Sequence, residues 1–149
     1  TMQTNGGETE MIAYPALIEL DEDGANYAVR FPDLEGCLTY GPDLDTAKKN
    51  AREALSAYLE SLDSRSDDIP AASKPKGENV FYISPDISVA FAIRIKQVRA
   101  RKGLTQREVA DKLGIGWASY QRIENPRRTN PTLSTIRRLE EVFEVSFFR

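Results

Sequence analysis

The 149-residue sequence predicts an α+β chain, a small β-β-β-α-β unit over residues 11–83 followed by an all-α unit over residues 84–149. From Tyr14 apolar residues alternate with period two, the mark of half-buried strands; after Pro42 they recur at three and four, the mark of a helix. Charge divides along the same line. Residues 1–79 carry 7 Lys/Arg against 16 Asp/Glu, a net of −9, whereas residues 80–149 carry 13 against 7, a net of +6. The first half would repel a phosphate backbone and the second would attract one.

Residues 1–10, "TMQTNGGETE", are polar and are expected to form a disordered leader. Tyr14, Ala16, Ile18 and Leu20 fall on one face of a first strand, "DEDGAN" reads as a turn, and Tyr27, Val29 and Phe31 fall on one face of a second. Cys37 to Tyr40 is a short third strand, broken by Gly41 and Pro42. Asp43 can cap a helix whose apolar stripe is Leu44, Ala47, Ala51, Leu55, Tyr58 and Leu62, predicted to pack across the sheet. Residues 64–79 lose periodicity and gather Ser, Pro, Asp and Lys, so they read as a linker. "VFYI", Val80 to Ile83, is a fourth strand returning to the sheet, and Ser84-Pro85 opens a helix that reaches about Arg101.

The segment Leu104 to Asn125, "LTQREVADKLGIGWASYQRIEN", carries the strongest signal. Thr105 and Glu108 make a capping box; Val109, Ala110 and Leu113 supply a buried face, and Gly114 ends that helix. A second helix begins near Gly116, with Tyr120 and Ile123 inward and Trp117, Ala118, Gln121 and Arg122 outward. Two short helices joined by a tight glycine turn make a DNA-reading helix-turn-helix. The segment resembles the lambda-repressor or Xre type of that domain, over roughly residues 93–147. The resemblance implies base contacts from the start of the second helix, at Trp117, Ala118 and Gln121 with Arg122 nearby, and Gly116 and Ser119 belong to the same expected DNA-binding surface. It implies phosphate contacts from Thr105, Gln106 and Arg107, with Arg127 and Arg128 adding positive charge. Gly116 stands where a capping Ser or Thr is usual, Pro126 where a glycine is usual, and Trp117 where a polar residue is common. The bland alternative is an αα-hairpin that serves only dimerisation.

Composition excludes several classes. With no histidine and one cysteine, neither a disulfide nor the commonest metal and general-base chemistry is expected, and no catalytic residue, metal or cofactor is assigned. No stretch approaches the roughly 20 apolar residues of a membrane span, and no secretory signal is evident, so a cytoplasmic protein with no membrane partner is expected. "FPDLEGC", Phe31 to Cys37, sets two carboxylates beside the only thiol. Pro32 and Gly36 mark it as a loop, and Cys37 reads as a buried small hydrophobe.

"VRFPDLEGCLTYGPDLDTAKKNAREALSAYL" resembles the N-terminal half of HicB antitoxins, over about residues 12–62, with Glu35 where proline is common. Together with the repressor-like half, the chain is similar to a HicB antitoxin of the helix-turn-helix subtype. That resemblance implies a partial ribonuclease H-like fold without catalysis, which binds and covers a HicA-type ribonuclease toxin. The −9 half offers an acidic surface to a basic partner, with Asp21, Asp23, Phe31, Asp33, Leu34 and Glu35 as the expected toxin-facing residues. The C-terminal half is expected to bind operator double-stranded DNA as a homodimer or tetramer, with "VSFF" at residues 145–148 as the seam. Two rival readings stand beside this one. One is a metal-dependent nuclease using Asp21, Asp23, Asp33 and Glu35; the other is a one-component regulator whose N-terminal half senses a small ligand.

Overall fold

Asp21 closes the first hairpin in the computed structural model, which describes residues 11–147: its carboxylate accepts hydrogen bonds from the backbone of Ala25 (3.0 Å) and Asn26 (3.2 Å). The hairpin pairs β1 (Tyr14–Leu20) with β2 (Tyr27–Arg30), Ile18 opposite Val29. β3 (Leu38–Gly41) extends the sheet beyond β2, α1 (Leu44–Ser64) follows, and β4 (Val80–Ile83) returns to pair with β1. All pairings are antiparallel, in the order β3-β2-β1-β4. The β-β-β-α-β order expected from the sequence is the order found.

One sheet face carries Tyr14, Ala16, Ile18, Val29 and Ile83, all buried. α1 lies on this face. Asp43 caps it by accepting from the Thr46 backbone at 2.7 Å, and Ala47, Ala51, Leu55 and Leu59 form its buried row. The expected stripe had Tyr58 and Leu62 in place of Leu59; both are only half-buried. An i, i+4 row runs at a slight incline to the helix axis, so the buried line continues to 59 rather than alternating back to 58. Gly41 fits β3 against this helix: a Cβ there would sit 2.6 Å from the Ala47 backbone nitrogen. Leu20, expected in the core, is 55% exposed, because it pairs with Tyr27 at the hairpin end, where nothing covers it.

Residues 65–79 contain no helix or strand, yet they are tied down. The Asp33 carboxylate accepts from the backbone (2.9 Å) and hydroxyl (3.1 Å) of Ser73, and the Tyr14 hydroxyl donates to the Pro70 carbonyl. Burial, aided by the Asp33 charge, pushes the Tyr14 phenol up to about 12. The next helix starts two residues later than Pro85 suggested, and just before it the Asp86 N–H donates to the Ser56 hydroxyl of α1 at 2.8 Å.

The chain divides into two units between Asp86 and Ile87, with Met11 grouped with the second. That unit consists of α2 (Ile87–Arg101), α3 (Gln106–Leu113), α4 (Trp117–Ile123) and α5 (Leu133–Phe143). Its core joins Phe91, Ile95 and Val98 with Val109, Leu113, Tyr120, Leu139 and Phe143. Phe147 completes it, 1% exposed and edge-on to Phe91 at 5.5 Å. This corrects the seam expected at 145–148: Val145 and Phe147 pack on their own core, and Phe148 lies outside the described residues, as does the expected leader. No helix among the described residues is long and apolar enough to cross a membrane.

Candidate nucleic-acid interface and partner surface

The α3–α4 turn is built by local chemistry. Thr105 Oγ1 accepts from the Glu108 backbone (3.1 Å) while the Glu108 carboxylate accepts from the Thr105 backbone (2.8 Å). These bonds hold the Glu108 carboxyl below its ordinary range and commit the Thr105 hydroxyl to the cap. Gly114 ends α3 in the left-handed region at φ 71°, a conformation costly for any residue with a Cβ. Arg138 donates to the Leu113 carbonyl at the same helix end. Ile115 packs on the core, and Gly116 begins α4 without a side-chain cap. Tyr120 and Ile123 are buried; Trp117, Ala118, Ser119, Gln121 and Arg122 are exposed.

Beneath that exposed row lies a polar network that sequence reasoning did not find. The buried Glu124 carboxylate accepts from Arg99 Nε (2.6 Å) and Nη2 (3.1 Å), from Gln106 Nε2 (3.0 Å) and from the Tyr120 hydroxyl (2.5 Å). Burial alone would raise the Glu124 pKa; the bonds from Arg99, Tyr120 and Gln106 outweigh it and leave the carboxyl below its ordinary value. Arg99 Nη1 also donates to the Leu104 carbonyl at 3.0 Å, which ties the end of α2 to the start of α3. The one available signal was the "IEN" glutamate, whose partner Arg99 counted only as positive charge.

Gln106 passes this order to the surface. Its Oε1 accepts from Trp117 Nε1 (3.2 Å) and Gln121 Nε2 (3.5 Å), and Arg107 stacks 4.0 Å over the Trp117 ring. Gln106, assigned above to a phosphate, is thus held as a joint between α3 and α4. Trp117 is 41% exposed, with one edge fixed by hydrogen bonding and one face by the guanidinium. Arg127 and Arg128 are exposed in the loop after α4, shaped by Asn125, whose side chain accepts from the Arg127 backbone at 2.9 Å. Lys96, Ala118, Gln121, Arg122 and Arg128 line one open groove over Glu124.

In the first unit, "FPDLEGC" proves to be a core-plugging loop. Phe31, Leu34 and Cys37, three apart, are 2%, 1% and 3% exposed, and successive turns bond the Leu34 N–H to the Phe31 carbonyl and the Cys37 N–H to the Leu34 carbonyl. Phe31 and Leu34 therefore cannot present side chains to a toxin, which corrects their assignment as toxin-facing residues: the spacing of three turns them inward. Burial pushes the Cys37 thiol up to about 11, far from a reactive thiolate. Asp21 and Asp23 sit in the hairpin before β2, and Asp33 and Glu35 in the loop after it. The four-residue strand between them spans roughly 13 Å, too far for the four carboxylates to share a metal. Among the described residues no three Cys, Asp or Glu side chains come together as a metal-holding group. The nuclease reading lacks the cluster it requires.

Residues 14–82 match the family model of the HicB-like antitoxins of bacterial toxin–antitoxin systems, and residues 95–148 match a helix-turn-helix model. Antitoxin HicB 1 of Photorhabdus laumondii is 30% identical over 116 residues, 78% of this chain and 72% of that relative. The chain belongs to the HicB antitoxin family. A UPF0150 protein of Thermoplasma acidophilum is 44% identical to this HicB-family chain over 57 residues, 38% of this chain and 81% of that protein. The N-terminal domain of a Burkholderia pseudomallei HicB antitoxin is 26% identical and covers 51% of this chain and all of that one, with a TM-score of 0.44. In this HicB-family chain the two matched segments fall in separate units, one in residues 12–86 and the other beyond residue 86.

Proposed function

We propose that this chain is the antitoxin and autorepressor of a type II toxin–antitoxin pair. Residues 12–86 bind and neutralise a basic HicA-type ribonuclease toxin, without catalysis of their own, and the helical unit binds operator DNA in the cytoplasm. One observation carries the reading: a HicB-like unit shares its chain with a helix-turn-helix whose α4 presents Trp117, Ala118, Ser119, Gln121 and Arg122 to solvent. Such a row suits a major groove, and the flanking Arg107, Arg127 and Arg128 suit phosphates. A dimer or tetramer would read half-sites about one helical turn apart.

The test is co-purification with the tagged HicA-type toxin of its own operon, RNA cleavage with and without the complex, and band shifts on the operon's upstream DNA. Tight binding with suppressed cleavage and a specific shift is expected. A toxin that stays active and unbound would sink the antitoxin half and favour the ligand-sensing regulator instead.

A further inference from the structure

The sheet of the first unit has a second face, opposite α1, formed by residues paired across all four strands. Leu38, Arg30, Leu17 and Val80 make one row, and Tyr40, Ala28 and Glu19 make the next. Tyr82 stands beside Pro15 on the same side. Leu38 and Tyr40 are each 63% exposed and Tyr82 is 52% exposed. Four strands about 4.8 Å apart and some four to five residues long give a face of roughly 300 Å², on which the apolar Leu38, Tyr40 and Tyr82 stand among the charged Arg30 and Glu19. β3, at one edge, contains no charged residue and no proline, the usual guards against strand pairing with another chain.

Charge says what kind of partner fits. Residues 12–86 hold 7 Lys/Arg against 15 Asp/Glu, a net of −8, and of the seven basic residues only Arg30 lies on the sheet. Lys48, Lys49 and Arg52 are on α1, which covers the other face. Glu19 and Asp21 border the open face at its hairpin end. A second copy brought face to face would set −8 against −8, and nucleic acid would be repelled; a basic protein would be attracted.

We infer that this uncovered sheet face, centred on Leu17, Leu38, Tyr40 and Tyr82, is the docking surface for a basic protein partner, with the acidic hairpin acting as its rim. The inference rests on the antitoxin reading and names the toxin's seat within it. It moves the contact away from the "FPDLEGC" loop, whose apolar side chains are already consumed by the core.

The test uses the full chain, the HicA-type toxin of its operon, and two variants that keep strand-forming or long side chains: Leu38→Thr with Tyr40→Thr, and Tyr82→Arg. Each is expected to weaken toxin binding in calorimetry by about 30-fold or more, as loss of an interface anchor does, with melting temperature and operator affinity unchanged. Variants that bind toxin like the parent chain would overturn the inference. So would unchanged toxin affinity with a smaller assembly in light scattering, since the face would then join two copies of this chain. Failure of the parent chain itself to bind toxin would overturn the antitoxin reading first, and needs no variant to detect.

Discussion

Replacing Glu124 with alanine tests whether the buried network holds the DNA-reading unit together. The substitution removes the acceptor of four hydrogen bonds, from Arg99 (two), Gln106 and Tyr120. Removing one partner of a buried ion pair costs about 3–5 kcal/mol, because the other charge stays buried and unmatched. The Arg99 side chain retains 18% exposure and the Leu104 carbonyl as a second acceptor, so the lower end, about 3 kcal/mol, applies here. Trp117, the only tryptophan, lies in this unit, so its fluorescence follows urea unfolding of the helices alone. With a urea m-value of about 1 kcal/mol/M for a small domain, the midpoint should fall by about 3 M. The network also fixes a pH dependence. Its bonds hold the folded Glu124 pKa below the ordinary 4.5, so the unfolded chain takes up the proton more readily. The resulting stability is fully present above pH 4.5 and is lost as pH falls through the folded value. Glu124→Gln should abolish that part of the acid dependence. A midpoint shift below about 0.5 M for the alanine variant, or an unchanged acid limb for the glutamine variant, would refute the argument.

Three further outcomes are expected. Gly41→Ala should destabilise the first unit by about 2–3 kcal/mol, since the new methyl meets the Ala47 backbone rather than a flexible side chain, and thermal melts by circular dichroism will show it. Arg122→Ala should weaken operator binding about 10-fold while toxin binding holds, and the parent chain's operator affinity should itself fall more than about 10-fold between about 50 and 200 mM salt. A flat salt response would argue against phosphate-dominated binding. Cys37, buried with its thiol held at about 11, should resist alkylation in the native chain at pH 8 and react fully once urea unfolds it; native labelling at the rate of a free thiol would contradict its burial.

Local patterns in the sequence determined the element order, because period-two and period-three-to-four alternation, the Asp43 cap, the Thr105–Glu108 box and Gly114 each act within a few residues. The same locality made both family resemblances legible in short motifs. What only tertiary structure decided were matters of facing and partnership across distance. Phe31 and Leu34 looked like part of a loop offered to a partner, and the fold turns both into the core beside Cys37, whose burial the sequence already suggested. The apolar Val145 and Phe147 looked like surplus surface until α2 supplied Phe91 to receive Phe147. Arg99 and Glu124 stand 25 positions apart, and no periodicity announces a pair joined across two turns. The open sheet face likewise is complete only once β4, separated from β1 by two strands, a helix and a long connection, has come back beside it. Local propensity acts through neighbours along the chain, whereas burial and ion pairing depend on which surfaces the completed fold brings together.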